Sequence, residues 1–69
     1  MAGSVYKLIE VVGTSNKSWE EAAKLAVETA SKSLKDLRVA EVIDQDVKIE
    51  EGKVAAYRIR LRLSFKYHD

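Results

Sequence analysis

The feature that most constrains the fold is the stretch of residues 56–67, in which apolar and cationic side chains alternate. A period of two with β-branched and aromatic residues predicts a β-strand. One face of this strand is apolar and can pack on a helix, and the other carries three arginines and a lysine. The chain is too short to cover that second face itself, so we expect something outside the chain to meet it. The two faces are formed by Tyr57, Ile59, Leu61, Leu63, Phe65 and Tyr67, and by Arg58, Arg60, Arg62, Ser64 and Lys66.

The length of 69 residues predicts a single domain that spans residues 1–69. A chain of this size buries only about 60% of its unfolded surface and is marginally stable alone. There is no cysteine, which excludes disulfides and thiolate metal sites. The single histidine, His68, leaves no histidine cluster for a metal and almost no nucleophilic triad. We therefore expect support from self-association, and we expect no enzymatic activity.

Charge and hydropathy point to an ordinary soluble surface. The formal net charge is +1, with 12 basic and 11 acidic residues, so there is no global attraction to nucleic acid or to an anionic membrane. No apolar run approaches the length of about 20 residues that a membrane span needs. The opening residues MAGSVYK lack the apolar centre of a signal peptide. We expect a cytoplasmic protein without nucleic-acid or membrane partners.

The first half of the chain predicts a strand followed by a helix. Residues 5–12 are rich in β-branched residues and predict the first strand, mostly apolar on both faces. Residues 13–17 read GTSNK, which is turn chemistry. An alternative for the GTS run is a phosphate cradle at the helix start, where free N–H groups attract anions. The run lacks the pattern of a Walker-type loop.

Ser18 begins the predicted helix, and Ser18 to Glu21 fits a capping box. We expect the helix to end at residues 36–38, with lysines in its last turns. Trp19 is interpreted as an anchor of the core, the alternative being a ligand platform. Leu25 lies off the apolar stripe and is either exposed or a subunit contact. The stripe follows helical spacing through Trp19, Ala22, Ala23, Ala26, Val27, Ala30 and Leu34.

Residues 39–49 predict a second strand, bent by a bulge near residues 44–46. Residues 50–52 would form a three-residue turn into the alternating strand, which we place at the centre of an antiparallel sheet. In that register Asp46 faces Ala56, and Asp44 faces Arg58. Arg60 and Arg62 then have no acidic partner within the chain.

Two acidic side chains are candidate metal ligands. Asp44 and Asp46 are spaced i, i+2, so both carboxylates project from one face and offer oxygen ligands to calcium or magnesium. Such a site arises within one chain or, with more donors, where symmetry joins several copies. Paired carboxylates also serve acid–base catalysis, but nothing in the sequence marks a nucleophile or a substrate pocket. The arginine row is interpreted as either an anion-binding surface or a solvated face.

Taken whole, the chain resembles a dodecin. The segments VYKLIEVVGTS, AEVIDQDVKI and YRIRLRLSF carry the likeness, which covers residues 5–66 in the order strand–helix–strand–strand. The resemblance implies an α+β fold of the type β-α-β-β, with a three-stranded antiparallel sheet that partly wraps one helix. It also implies a hollow homododecamer held by extensive contacts between subunits.

The resemblance further implies a ligand site. Dodecins typically bind flavins stacked between tryptophans of symmetry-related chains, and a glutamine on the third strand binds the flavin ring. The matching positions here are Val39 and Arg58, which depart from that pattern, so we expect flavin binding to be weak or lost. Asp44 matches an acidic position of the flavin-binding members, and Gln45 completes the candidate set. The chain is more similar to a branch of dodecins associated with calcium, which makes calcium the alternative ligand.

Overall fold

Three strands and one helix follow one another in the predicted order. The computed structural model describes residues 3–67. The sheet is antiparallel, with β3 between β1 and β2. The prediction of a β-α-β-β fold with the alternating stretch as its central strand is therefore confirmed. The elements are β1 (Tyr6–Ser15), α1 (Trp19–Ala30), β2 (Leu37–Glu50) and β3 (Lys53–Lys66).

The core forms where the apolar face of β3 meets α1. Leu61 and Leu63 are only 2% and 1% exposed, and Ala22 of the helix packs with them. Because the helix stripe is built largely of alanine, the helix lies close to the sheet. Trp19 packs against this cluster, as predicted for a core anchor. The partly buried residues around it are Ile9, Val11, Trp19, Ala23, Ala26, Val27, Ala30 and Leu37.

The helix begins where the sequence predicts. Ser18 has extended backbone angles, and its hydroxyl accepts a hydrogen bond from the backbone N–H of Glu21 at 3.0 Å. This bond satisfies one of the N–H groups that the first turn leaves without an intrahelical partner. Trp19 is the first residue of the helix, directly after the cap.

We predict that Ser18→Ala lowers the stability of the fold by about 1 kcal/mol, because the amino end of α1 loses its cap. In a domain of this size, that change lowers the melting temperature by about 4–8 °C. Thermal unfolding followed by circular dichroism at fixed protein concentration measures the effect. The matched control is Ser33→Ala, which removes an exposed hydroxyl beyond the helix. Equal melting temperatures for the two variants would contradict the capping role.

The helix ends earlier than predicted, at Ala30 rather than at residues 36–38. The hydroxyl of Ser31 donates to the carbonyl of Val27 at 2.8 Å, and the next two N–H groups bond to carbonyls three residues back. Such bonds tighten the last turn and stop the α-helical ladder. Asp36 then takes a positive φ of 60°. The predicted lysines therefore lie beyond the helix, whose last turn contains no basic residue.

The first strand is longer than predicted and includes residues 13–15, which were expected to belong to the turn before the helix. Gly13 is a buried strand residue opposite Ile59, and β1 continues to Ser15. The hydroxyl of Ser15 accepts hydrogen bonds from the N–H groups of Lys17 and Ser18 at 2.9 and 3.4 Å. The structure contradicts the phosphate-cradle alternative, because Gly13 is buried within a paired strand and the hydroxyl of Ser15 is engaged by backbone N–H groups of its own chain.

The hairpin has a different register from the predicted one. Glu51 and Gly52 both have positive φ, which is typical of a two-residue turn between paired strands. The register shifts between Val42 and Asp44, close to the predicted bulge, and again after Lys48. As a result, Asp46 pairs with Arg58 and Asp44 with Arg60. The predicted partners were wrong by two residues. Because side chains alternate between the faces with a period of two, both aspartates still lie on the predicted face.

The molecule is long and thin for its size. Its principal extents are 56 × 20 × 15 Å, and its radius of gyration is 14.4 Å, against about 11 Å for a compact domain of this length. Its accessible surface is 5398 Å², against about 4400 Å² from size scaling. Large apolar side chains stay exposed, among them Val39, Ile49 and Leu25. Among residues 3–67, no helix has the length and hydropathy that a bilayer span requires.

Candidate functional site

The face of the sheet that points away from α1 carries a row of ion pairs between β3 and its neighbours. We call it the outer face. At one end of the row, Arg58 binds Asp46 in a bidentate manner, with Nε to Oδ1 at 2.8 Å and Nη2 to Oδ2 at 3.3 Å. The two residues are directly opposite in the register of β2 and β3. Two parallel N–H···O bonds fix both the distance and the orientation of this carboxylate.

The other two arginines also have partners within the chain. Arg60 Nη1 lies 3.8 Å from Asp44 Oδ2. Arg62 bridges the two edge strands, with Nη2 3.0 Å from Glu10 Oε2 and Nη1 3.8 Å from Glu41 Oε1. The prediction that Arg60 and Arg62 lack acidic partners is therefore wrong. The cause is the two-residue shift in register, together with the pairing of β1 against β3.

The row fixes geometry more than it stabilises the fold. Its side chains are between 39% and 66% exposed, so solvent screens each pair. Exposed ion pairs contribute about 0–1 kcal/mol each. What the row does is hold the carboxylates of β2 on one face, each beside a guanidinium. The outer face therefore carries alternating positive and negative side chains rather than a row of unpaired arginines.

The predicted ligand residues do not form one cluster within a chain. Asp44 and Arg58 both lie in the ion-pair row. Val39 is opposite Ser64, six positions along β3 from Arg58, which is about 20 Å of strand. Gln45 is opposite Ile59 and lines a groove beside Trp19. A ligand that touches both Val39 and Arg58 therefore needs residues from more than one chain.

The donor chemistry of the outer face fits a hard cation, whereas the number of donors in one chain does not complete a coordination shell. Carboxylates are the ligands that calcium and magnesium prefer, and calcium takes six to eight oxygens. Asp44 and Asp46 are each engaged by an arginine. In the described part of the chain, no three metal-ligating side chains converge. A cation site built on these aspartates would require oxygens from neighbouring copies.

Sequence reasoning missed three residues of this region. The sequence prediction paired neither Glu10 nor Glu41 with an arginine, yet the carboxylates of both flank Arg62 of their own chain. The signal that could have found them is their position directly opposite Arg62 on the two neighbouring strands, which requires the strand registers. Trp19 was interpreted as a core anchor or a ligand platform, and neither interpretation includes the hydrogen bond that its indole Nε1 donates to the carbonyl oxygen of Asp46 at 3.1 Å. A contact across 27 residues has no local sequence signal.

Comparison with known proteins agrees with the fold. The sequence model of the dodecin family matches residues 5–68. The calcium dodecin of Mycobacterium tuberculosis is 51% identical over 63 residues, which cover 91% of this chain and 89% of the relative. The dodecin of Thermus thermophilus is 36% identical over 67 residues, 97% of each chain. The chain belongs to the dodecin family.

Solved structures support the same assignment. The dodecin of Streptomyces coelicolor superposes with a TM-score of 0.92 at 36% identity, over 100% of this chain and 99% of that one. The crystal structure of the M. tuberculosis calcium dodecin superposes with a TM-score of 0.84 at 49% identity, over 94% and 93% of the two chains. That protein is described as calcium-chelating, with a novel calcium-binding site.

Proposed function

We propose that this chain is the protomer of a non-enzymatic, hollow homododecamer that binds and stores a small ligand, and that this ligand is a hard cation, with Ca²⁺ as the first candidate. The observation that carries the proposal is the set of exposed carboxylates that β2 presents on the outer face, namely Glu41, Asp44 and Asp46. A relative with 51% identity is a calcium dodecin, which favours calcium over other hard cations.

The shape of the protomer supports assembly. Its surface exceeds that of a compact domain by about 1000 Å², and exposed apolar side chains occur along its length. A stable interface buries about 800 Å² per partner, so the excess is of the size that association removes. Association also brings together carboxylates from several chains, which supplies the oxygens that one chain lacks.

Isothermal titration with CaCl₂ tests the cation proposal. We expect the wild-type protein to bind Ca²⁺ and the double variant Asp44→Asn, Asp46→Asn to bind it about tenfold or more weakly, because ligand charge tunes calcium affinity. The matched control is Glu28→Gln, which removes one carboxylate from the exposed face of α1. Absence of heat from the wild-type protein would favour the second candidate function, a structural assembly without a specific ligand.

We expect riboflavin to bind weakly. Arg58 offers only donors and is already bidentate to Asp46, so it does not accept a hydrogen bond from the flavin ring as a glutamine does. Val39 is 61% exposed but has no aromatic face for stacking. In a titration at micromolar protein, the fluorescence of riboflavin should remain unquenched.

Val39→Trp should raise the riboflavin affinity by about 5- to 150-fold, the range that corresponds to about 1–3 kcal/mol of stacking on an aromatic ring. The same fluorescence titration measures the change. Val54→Trp is the matched control, because it adds an indole at another exposed valine of the sheet. An unchanged affinity for Val39→Trp would identify Arg58 or the shape of the site as the obstacle.

A further inference from the structure

Asp46 is held from both faces of the sheet. On the outer face, its carboxylate accepts two hydrogen bonds from the guanidinium of Arg58. On the side of the helix, its backbone carbonyl accepts a hydrogen bond from Trp19 Nε1 at 3.1 Å. The same residue therefore belongs to the ion-pair row and to the contact between α1 and β2.

Trp19 is well placed to fix this part of β2. Its ring lies edge-on to Tyr57, with centroids 5.1 Å apart and an interplanar angle of 74°. Tyr57 precedes Arg58 on β3, so the indole rests on the strand that carries the partner of Asp46. The helix otherwise packs mainly on β1 and β3. Among the hydrogen bonds of residues 3–67, the bond from Trp19 is the one that joins α1 to β2.

The ladder alone holds this segment of β2 less firmly than a regular strand. The register shifts between Val42 and Asp44 and again between Lys48 and Ile49, so an irregularity lies on each side of Asp46. A bulge bends its strand and changes the local twist, which re-aims the side chains beside it. A hydrogen bond from outside the sheet, placed between the two irregularities, removes that freedom.

We propose that Trp19 is a positioning residue for the carboxylates of Asp44 and Asp46, acting through the backbone of β2. The inference rests on the proposed cation-binding function. Trp19 touches no ligand. Its N–H group holds the carbonyl of Asp46, and the segment 44–48 consequently presents its carboxylates in one orientation. Loss of this bond leaves the fold and the assembly in place and lowers the affinity for Ca²⁺.

The test removes the N–H group and keeps the ring. Trp19 is the single tryptophan of the chain, so biosynthetic replacement by benzothienylalanine, in which sulfur takes the place of the indole N–H, alters this site alone. We expect the dissociation constant for CaCl₂ to rise about fivefold, the effect of one hydrogen bond. The substitution Trp19→Phe should raise the dissociation constant by at least as much. Tyr57→Phe, which keeps the ring beside Trp19, should bind as the wild type does.

A second measurement separates this inference from the proposed function. In calcium-free buffer, amide hydrogen exchange of residues 44–48 should be about fivefold faster in the benzothienylalanine protein, with the particle mass unchanged. Unaltered exchange together with unaltered Ca²⁺ affinity would overturn the positioning role while the proposed function stands. A wild-type protein that fails to bind Ca²⁺ overturns the proposed function, and the exchange rates then decide alone whether Trp19 holds the segment.

Discussion

Replacing Leu61 with alanine is expected to destabilise the fold by about 2–5 kcal/mol, a large part of its total stability. Leu61 is 2% exposed at the centre of β3, between Val11 on one neighbouring strand and Val42 on the other. Truncation of a buried leucine to alanine costs about 2–5 kcal/mol, because transfer energy is lost and a cavity remains. Small domains have about 5 kcal/mol or little more in total. Thermal and urea unfolding followed by circular dichroism measure the loss.

Leu25→Ala is the matched control for that experiment. It deletes the same atoms from a leucine that is 52% exposed on α1. The expected change in folding free energy of the protomer is within about 0.5 kcal/mol, as for most surface substitutions. A change in particle mass without loss of secondary structure would identify Leu25 as a subunit contact. Equal destabilisation by both variants would contradict the assignment of the core to the apolar face of β3.

Gly13→Ala is expected to destabilise the fold by about 1–3 kcal/mol, the usual cost of forcing extra atoms into a packed interior. A Cβ atom at position 13 would collide with the backbone carbonyl oxygen of Ala22 and would lie 2.9 Å from the Cβ of Ala26. Backbone atoms do not swing aside as a flexible side chain does, so the whole helix has to move away from β1. That movement would also disturb the packing of Ala22, which is fully buried.

Gly3→Ala provides the control for the packing of Gly13, because a Cβ at position 3 meets nothing within 4 Å. Urea unfolding at one protein concentration compares the two variants with the wild type. Gly13→Val should be more destabilising than Gly13→Ala, since its extra methyl groups point at the same helix. If Gly13→Ala unfolds at the wild-type urea concentration, the close approach of α1 to β1 is wrong.

The parts of the fold that the sequence predicted are those with a local signal. The alternation around Leu61 predicted the central strand, and Ser18 followed by Glu21 marked the start of the helix. Gly13 was misread because glycine beside threonine and serine is typical of turns. Its actual role, close packing against Ala22, depends on a helix that the local sequence does not display. The helix end was misplaced because N–H groups that bond to carbonyls three residues back, rather than glycine or proline, end the α-helical ladder after Ala30.

The sequence predicted which face carries Asp44 and Asp46, but it did not predict which residues they contact. Asp44 and Asp46 do share the outer face, as their spacing predicted. Their arginine partners depended on the hairpin register. The observed register differs from the predicted one by two residues, because the turn is one residue shorter and a bulge follows Lys48. The hydrogen bond from Trp19 to Asp46 depended on the tertiary position of α1. Spacing along a strand therefore predicts which face of the sheet a side chain occupies. Which side chains pair on that face follows only from the register of the neighbouring strands.

Native mass spectrometry of the purified protein, sprayed first from calcium-free buffer and then after addition of Ca²⁺, tests the central claim most directly. The account predicts a particle that contains twelve copies of the 7.8 kDa chain and gains discrete calcium masses on loading. Loss of those added masses in the Asp44→Asn, Asp46→Asn variant would place the ions at the carboxylates of β2. A folded monomer at high dilution that takes up no calcium would contradict both the assembly and the site.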